Sequence, residues 1–313
     1  MGDGAVVQVS PAWAVVAVLV LLAVAAAGAS WDGVLAARST GGRLGAGAAA
    51  PLTEAARLMR QRRRVTVVAD RLLWRSGSGA FLVAAALMVA VVPLGRWTLA
   101  DLPVGLVWFN AMDVLVWAAV WLTGWGANSA HALVGGYRFL ALALSYELPL
   151  MFALTAPAVA AQSLRLGDVV AAQSGLWFVV WMPGAFFVFC ACITAFSAWG
   201  PFSAASASDI AGGALAEVSG VDRLLVLAGR YSLLAAGSAV AVTLFLGGGG
   251  GPLLAPWIWF LLKTLALLAV LIAAGRRVPL LRPDRFAEVG WLVLVPATLL
   301  QVLVVSVIVI GRG

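Results

Sequence analysis

The 313-residue sequence has one histidine and two cysteines, which leaves no ligand set for a structural zinc site and no disulfide framework. Cys190 and Cys192 lie inside the apolar stretch FVFCACITAF, with no histidine or further cysteine nearby, and read as packing residues. His131, being alone, cannot make a metal site. Charge is scarce as well: 11% of residues are charged, and no stretch between the apolar runs is long enough to fold by itself, which excludes a separate soluble domain. The glycine run GGGGGP (247–252) lacks a lysine and the rest of a P-loop pattern, so it reads as a flexible turn rather than a phosphate cradle. What the chain does have is hydrocarbon. With 63% hydrophobic residues and a mean hydropathy of +1.04, it lies far outside soluble globular composition.

An all-α integral membrane protein follows, because only helices and closed barrels satisfy their backbone groups in lipid, and each apolar run here has the roughly 20 residues a helix needs to cross. The runs predict about eight spans, at 11–30, 79–95, 103–124, 131–161, 176–198, 224–247, 254–274 and 290–310, in a single polytopic domain over 1–313. The first run could pass for a signal peptide, but MGDGAVVQVS contains an acid and no lysine or arginine, so a retained helix is expected.

The net charge of +7 does not form a face for nucleic acid. Much of it sits between residues 31 and 79, where Arg38, Arg43, Arg57, Arg60, Arg62, Arg63, Arg64, Arg71 and Arg75 meet only Asp32, Glu54 and Asp70. The positive-inside rule places this loop (31–78) in the cytoplasm, and the N-terminus on the other side. Alternation then makes 199–222 and 275–289 cytoplasmic, and the latter carries Arg276, Arg277, Arg282 and Arg285 in agreement. Within the first loop, APLTEAARLMRQRRR (51–64) places Leu52, Ala55, Ala56 and Met59 on one helical face, with Pro51 suited to its start, and predicts a helix lying in the interface. It serves either as an anionic-lipid anchor or as the rim of a lipid-facing entrance.

Two charges stand inside the run GYRFLALALSYELPLMFAL (136–154): Arg138 and Glu147. At roughly 2.5–3.5 kcal/mol for each mid-bilayer charge, their default reading is functional. Nine positions apart, they are about 180° and roughly 13.5 Å apart on a helix and cannot pair, so each needs a partner on another helix or in water. Pro149 cannot donate to the carbonyl of Ser145, which predicts a loosened helix and a place for ordered water beside Glu147. Glu147 is then either a proton-relay group that responds to a moving charge nearby, or one half of a structural ion pair. Asp113 is a compensating partner for Arg138, a second relay group, or a residue at a subunit interface. Lys263, the sole lysine, is a snorkelling anchor or a buried relay cation. Trp121, Trp125, Trp257 and Trp259 lie near span ends and read as belt residues.

GWGANSAHALVGGYRFLALALSYELPL (124–150) resembles the signature of the H subunit of bacterial proton-pumping NADH:quinone oxidoreductase, respiratory complex I. In that family a Gly-Trp-Ala-Ser-Asn-Ser stretch leads into Ser-Tyr-Glu-Ile-Pro-Leu, matched here by Trp125, Asn128, Ser129, Arg138, Ser145, Tyr146, Glu147 and Pro149. VPLGRWTLADLPVGLVW (92–108), PLTEAARLMR (51–60), TLFLGGG (243–249), Lys263 and PLLRPDRFAEVGW (279–291) are similar to other family blocks in the same order, so the likeness covers nearly the whole chain. It implies a membrane-arm subunit that forms a quinone chamber and its entrance, with Glu54, Arg57, Trp125, Arg282 and Asp284 at the chamber. It also implies a proton relay through Arg138, Tyr146, Glu147, Asp113, Asp209, Glu217 and Lys263, none of them catalytic by itself. Quinone binds in the assembled complex; iron–sulfur clusters, and FMN where present, belong to partner subunits. The implied partners are the other membrane-arm and hydrophilic-arm subunits, lipid and quinone, in a bacterial inner membrane.

The chain departs from the family in ITAFSAWGPFSAASASDIAGGALAEVSG (193–220), where the family's acidic loop has become mostly apolar: Phe196, Trp199 and Ser203 replace charged residues, while Asp209 and Glu217 stand at two retained acidic positions. This predicts weakened coupling between quinone chemistry and proton movement. Alternatives are a homologous complex fed by a donor other than NADH, a scaffold without quinone chemistry, and an autonomous channel, against which the sequence shows no internal repeat.

Overall fold

The computed structural model describes residues 6–207 and 213–311. Among these residues, eight helices are long and apolar enough to cross a membrane. In chain order the helices are α1 (Ala14–Ser39), α2 (Leu44–Arg60), α3 (Arg71–Val89), α4 (Gly105–Gly126), α5 (Ala130–Ala161), α6 (Leu166–Ala171), α7 (Phe178–Trp181), α8 (Pro183–Phe196), α9 (Gly220–Phe245), α10 (Pro256–Arg277), α11 (Pro283–Val289) and α12 (Val295–Ile310). Two short strands, β1 (Val7–Gln8) and β2 (Trp97–Thr98), pair in parallel at one end of the bundle. Helix α9 runs through the middle, packed against α1, α3, α8 and α10, while α5 packs against α4, α8 and α12. The share of the span buried is 72% for α9 and 11% for the last span, so the C-terminal helix lies on the periphery.

Several boundaries differ from those read in the sequence, each for a local reason. Helix α1 continues through Asp32 to Ser39 rather than stopping near residue 30, because Asp32 is paired and can remain inside a helix. Helix α3 begins at Arg71, eight residues before the predicted span, where Asp70 Oδ1 accepts hydrogen bonds from the Leu72 and Leu73 amides at 3.0 and 3.1 Å and caps the first turn. The span expected over 176–198 is broken into α7 and α8: Pro183 has no amide to donate, and Met182 before it leaves the helical conformation (φ −124°, ψ 46°). The last span opens as α11 and passes through a π-helical turn at Gly290–Leu294 before α12.

The interfacial helix also starts earlier than its predicted 51–64, at Leu44, so Pro51 sits inside α2 instead of at its N-terminus. The structure tolerates this through a close contact. Pro51 cannot donate to the Gly47 carbonyl, and that freed oxygen lies against Gly33 of α1 with no room for a Cβ on either glycine. Pro149 and Gly290 repeat the arrangement inside the bundle. The Ser145 carbonyl, freed by Pro149, faces Gly290 of the π turn, where a Cβ would sit 2.7 Å from the oxygen. The space expected to hold water is therefore approached by backbone. Helix α5 runs unbroken across Pro149 and Pro157. Replacing Gly33 or Gly290 by alanine should separate the helices concerned and cost about 1–3 kcal/mol, as overpacking does. Thermal unfolding of the purified protein, followed by circular dichroism, would register the loss.

Candidate functional site

Between α4 and α5, deep in the bundle, five side chains form a closed polar cluster. Asn110, Asp113 and Trp117 are at i, i+3 and i+7 on α4 and so share one face; Tyr146 and Glu147 come from α5. Asp113 and Tyr146 are fully buried. The Tyr146 hydroxyl donates to Asp113 Oδ1 at 3.2 Å and accepts from Trp117 Nε1 at 3.0 Å, while the same indole N–H reaches Asp113 Oδ2 at 3.3 Å. Asn110 Nδ2 donates to Glu147 Oε1 at 2.9 Å. The Asp113 and Glu147 carboxyls are direct neighbours. Glu147 Oε2 and Asn110 Oδ1 are buried with no protein partner. Unmet acceptors of this kind are costly in a membrane interior and are met by a proton or a small polar molecule. Thus three residues flagged singly in the sequence, Asp113, Tyr146 and Glu147, come together, and Asn110 and Trp117 join them.

The remaining candidates are dispersed. Arg138 is half-buried on α5, more than two turns before Glu147. Glu217 accepts from Ser129 Oγ at 2.8 Å, just before α5 begins. Lys263 lies near the glycine turn at the start of α10 and donates to the carbonyls of Leu246, Gly248 and Gly250. Asp209 falls outside the described residues. Of the chamber candidates, Arg57 grips Glu54 through two hydrogen bonds of 2.7 and 2.6 Å. That bonding, opposed by partial burial, holds the Glu54 carboxyl below the usual range, so its pairing is lost only at acid pH. Arg282 and Asp284 pair in the same way, exposed, at the start of α11. Trp125 is exposed at the end of α4, stacked on Trp121 with ring centroids 5.6 Å apart.

A second cluster went unnoticed in the sequence. Asp32 of α1 accepts from Arg276 Nε of α10 at 2.5 Å and from the Tyr231 hydroxyl of α9 at 3.0 Å. Arg230 donates to the carbonyls of Ser197 and Ala198 and lies 6.0 Å from the Trp199 ring, which packs on Tyr231. Nearby, Arg63 pairs with Asp222 at 3.5 Å and ties the end of α2 to α9. Buried donors without a protein partner remain here: Arg223 Nε and Trp199 Nε1. Phe196, fully buried where the family carries an acid, packs on Phe109, and Phe202 packs on Phe286 of α11 with centroids 4.6 Å apart. The retained fold of the loop is thus held by aromatic contacts in place of charges.

The family model described as NADH dehydrogenase matches residues 12–306, from the turn before α1 into α12. One of two H subunits of NADH-quinone oxidoreductase in Geobacter sulfurreducens, the one numbered 2, is 37% identical over 265 residues, covering 81% of this chain and 80% of its own. This chain belongs to the H-subunit family of NADH-quinone oxidoreductase. The H subunit numbered 1 of Geobacter metallireducens is 36% identical over 273 residues (84% and 83% covered), and the H subunit of Syntrophotalea carbinolica is 34% identical over 275 residues (84% and 83%). The family match takes in both polar clusters. Among the described residues, no group of three or more His, Cys, Asp and Glu side chains is placed to hold a metal ion.

Proposed function

We propose that this chain is the membrane-arm subunit of a bacterial NADH-quinone oxidoreductase in which the cluster of Asp113, Tyr146, Glu147, Asn110 and Trp117 takes up and passes a proton as quinone is reduced in the assembled complex. The observation that carries the reading is the buried pair of neighbouring carboxyls, joined through Tyr146, in a chain of this family. Carboxyls at hydrogen-bond distance from a phenol can exchange protons without large motion, and an unmatched Oε2 on Glu147 leaves one position for an incoming proton or donor. Arg138, on the same helix, supplies a positive charge to bias that exchange, and Glu217 stands at the surface end of α5 as an entry group.

Quinone carbonyls accept hydrogen bonds, and the residues at the α2–α9 face fit such a ligand: Arg223 and Trp199 hold buried donors with no protein partner, and Glu54 feels the Arg223 charge. Quinone supplies the electron-accepting chemistry when bound. The part of this chain is to orient it, exclude bulk water and deliver protons. With the loop at 193–207 packed by Phe196, Trp199 and Phe202, coupling is weaker than in relatives whose loop keeps its acids, and what remains of it runs through Asp113 and Glu147.

Affinity purification from native membranes tests the assignment. A tagged chain should bring down the neighbouring membrane subunits and an iron–sulfur subunit, with NADH-driven quinone reduction in the eluate; recovery as a lone monomer, or activity only with another electron donor, would overturn it.

A further inference from the structure

At the end of the bundle opposite the arginine-rich segment, α1, α9, α10 and the β2 loop enclose a cavity of about 420 Å³, within the range of ligand pockets. Its walls are almost wholly aliphatic, from Val16, Val20 and Val24 on α1 to Ala235 and Ala239 on α9. The two hydroxyls present are turned to backbone: Thr264 Oγ1 donates to Phe260 O at 2.8 Å, and Thr98 Oγ1 lies 3.5 Å from the carbonyls of Ala90 and Ala100. Trp13, Trp97 and Trp257 ring the mouth and are themselves exposed, the placement tryptophan takes at headgroup level. The rim is built: Val7 N donates to Arg96 O at 2.7 Å in the β1–β2 pairing, and Gly95, at φ +66°, lies so close to α10 that a Cβ would fall 2.7 Å from Trp257 N. Arg96 is exposed on that rim, between the lining residues Leu94 and Trp97.

The inner end is closed. One turn beyond Val24, Gly28 meets Leu268 so tightly that a Cβ would lie 2.9 Å from Leu268 Cδ2, and Asp32 and Arg276 latch the same two helices a turn further on. A blind cavity with no polar group aimed into it suits a resident hydrocarbon chain and not a headgroup that must exchange with a site at the other end. We propose that this cavity holds one acyl chain of an anionic phospholipid whose phosphate is met by Arg96.

The test uses the purified complex, reconstituted in nanodiscs of phosphatidylglycerol and phosphatidylcholine, re-extracted in detergent and analysed by native mass spectrometry. Retained phosphatidylglycerol should fall about fivefold in Arg96→Gln, the factor expected for one surface arginine. Ala17→Trp, which fills the cavity, should abolish the retention of either lipid at this site. Equal retention in wild type and Arg96→Gln, a preference for phosphatidylcholine, or a quinone released by Ala17→Trp in place of lipid would each overturn the proposal. Because Arg96 is exposed, its substitution decides the matter even where Ala17→Trp fails to assemble.

Discussion

Glu147→Gln is expected to leave the complex assembled and to lower proton translocation coupled to quinone reduction by roughly tenfold to a hundredfold, the range of a lost proton-transfer group. The amide keeps the contact that matters for packing, since its oxygen still accepts from Asn110 Nδ2 as Glu147 Oε1 does at 2.9 Å. What it loses is the capacity to gain and give up a proton beside Asp113. Asp113→Asn should act in the same direction, and the double variant should be little worse than either single one, because groups that work as one unit give non-additive losses. Tyr146→Phe removes the hydroxyl that links Trp117 to Asp113 and should fall between wild type and the carboxyl variants. Turnover and pumping in proteoliposomes are the measurements. Unchanged values in Glu147→Gln would leave the cluster only a packing role.

That cluster was half legible in the sequence. Charged residues in a hydrocarbon run announce themselves, so Asp113, Glu147 and Arg138 stood out one at a time, and the Ser-Tyr-Glu-Leu-Pro match added Tyr146. Asn110 and Trp117 carried a signal that went unread, their spacing of three and four residues from Asp113 along one face of α4. Which residues meet across helices depends on how helices pack, and a linear pattern carries little of that. Asp32 and Arg276 are 244 positions apart, so nothing local shows that a paired acid belongs inside α1 and not in the loop after it. Long uniform spans were easier: α5 occupies 130–161 against an expected 131–161. Errors gathered where proline or glycine alters the backbone, at Pro51, Pro183 and the π turn after α11, because there the outcome is decided by a contact from another helix.

Lys263→Met should destabilise the solubilised protein by about 2–4 kcal/mol while leaving proton translocation per assembled complex near its wild-type value. From the second turn of α10 the ammonium reaches back to three carbonyls of the preceding glycine turn, Leu246 and Gly250 at 2.7 Å and Gly248 at 3.1 Å, which uses all three of its donors. It also lies 4.0 Å from the centroid of the Trp177 ring. The turn read from sequence as flexible is therefore pinned, with Gly247 and Gly248 at φ +67° and +51° and Gln173 Oε1 accepting from the Gly247 amide at 2.9 Å. Methionine keeps the length of the side chain but leaves three oriented carbonyls without a donor, and charge-assisted bonds of this kind contribute about 1.5–3 kcal/mol each in favourable settings, less where partners are found in the membrane. Arginine should rescue only in part, because its planar fork does not fit a cage built for a compact ammonium. A melting temperature lowered in Lys263→Met with intact pumping ratios would assign Lys263 to the architecture of this turn; lost pumping at unchanged stability would instead make it a member of the proton path.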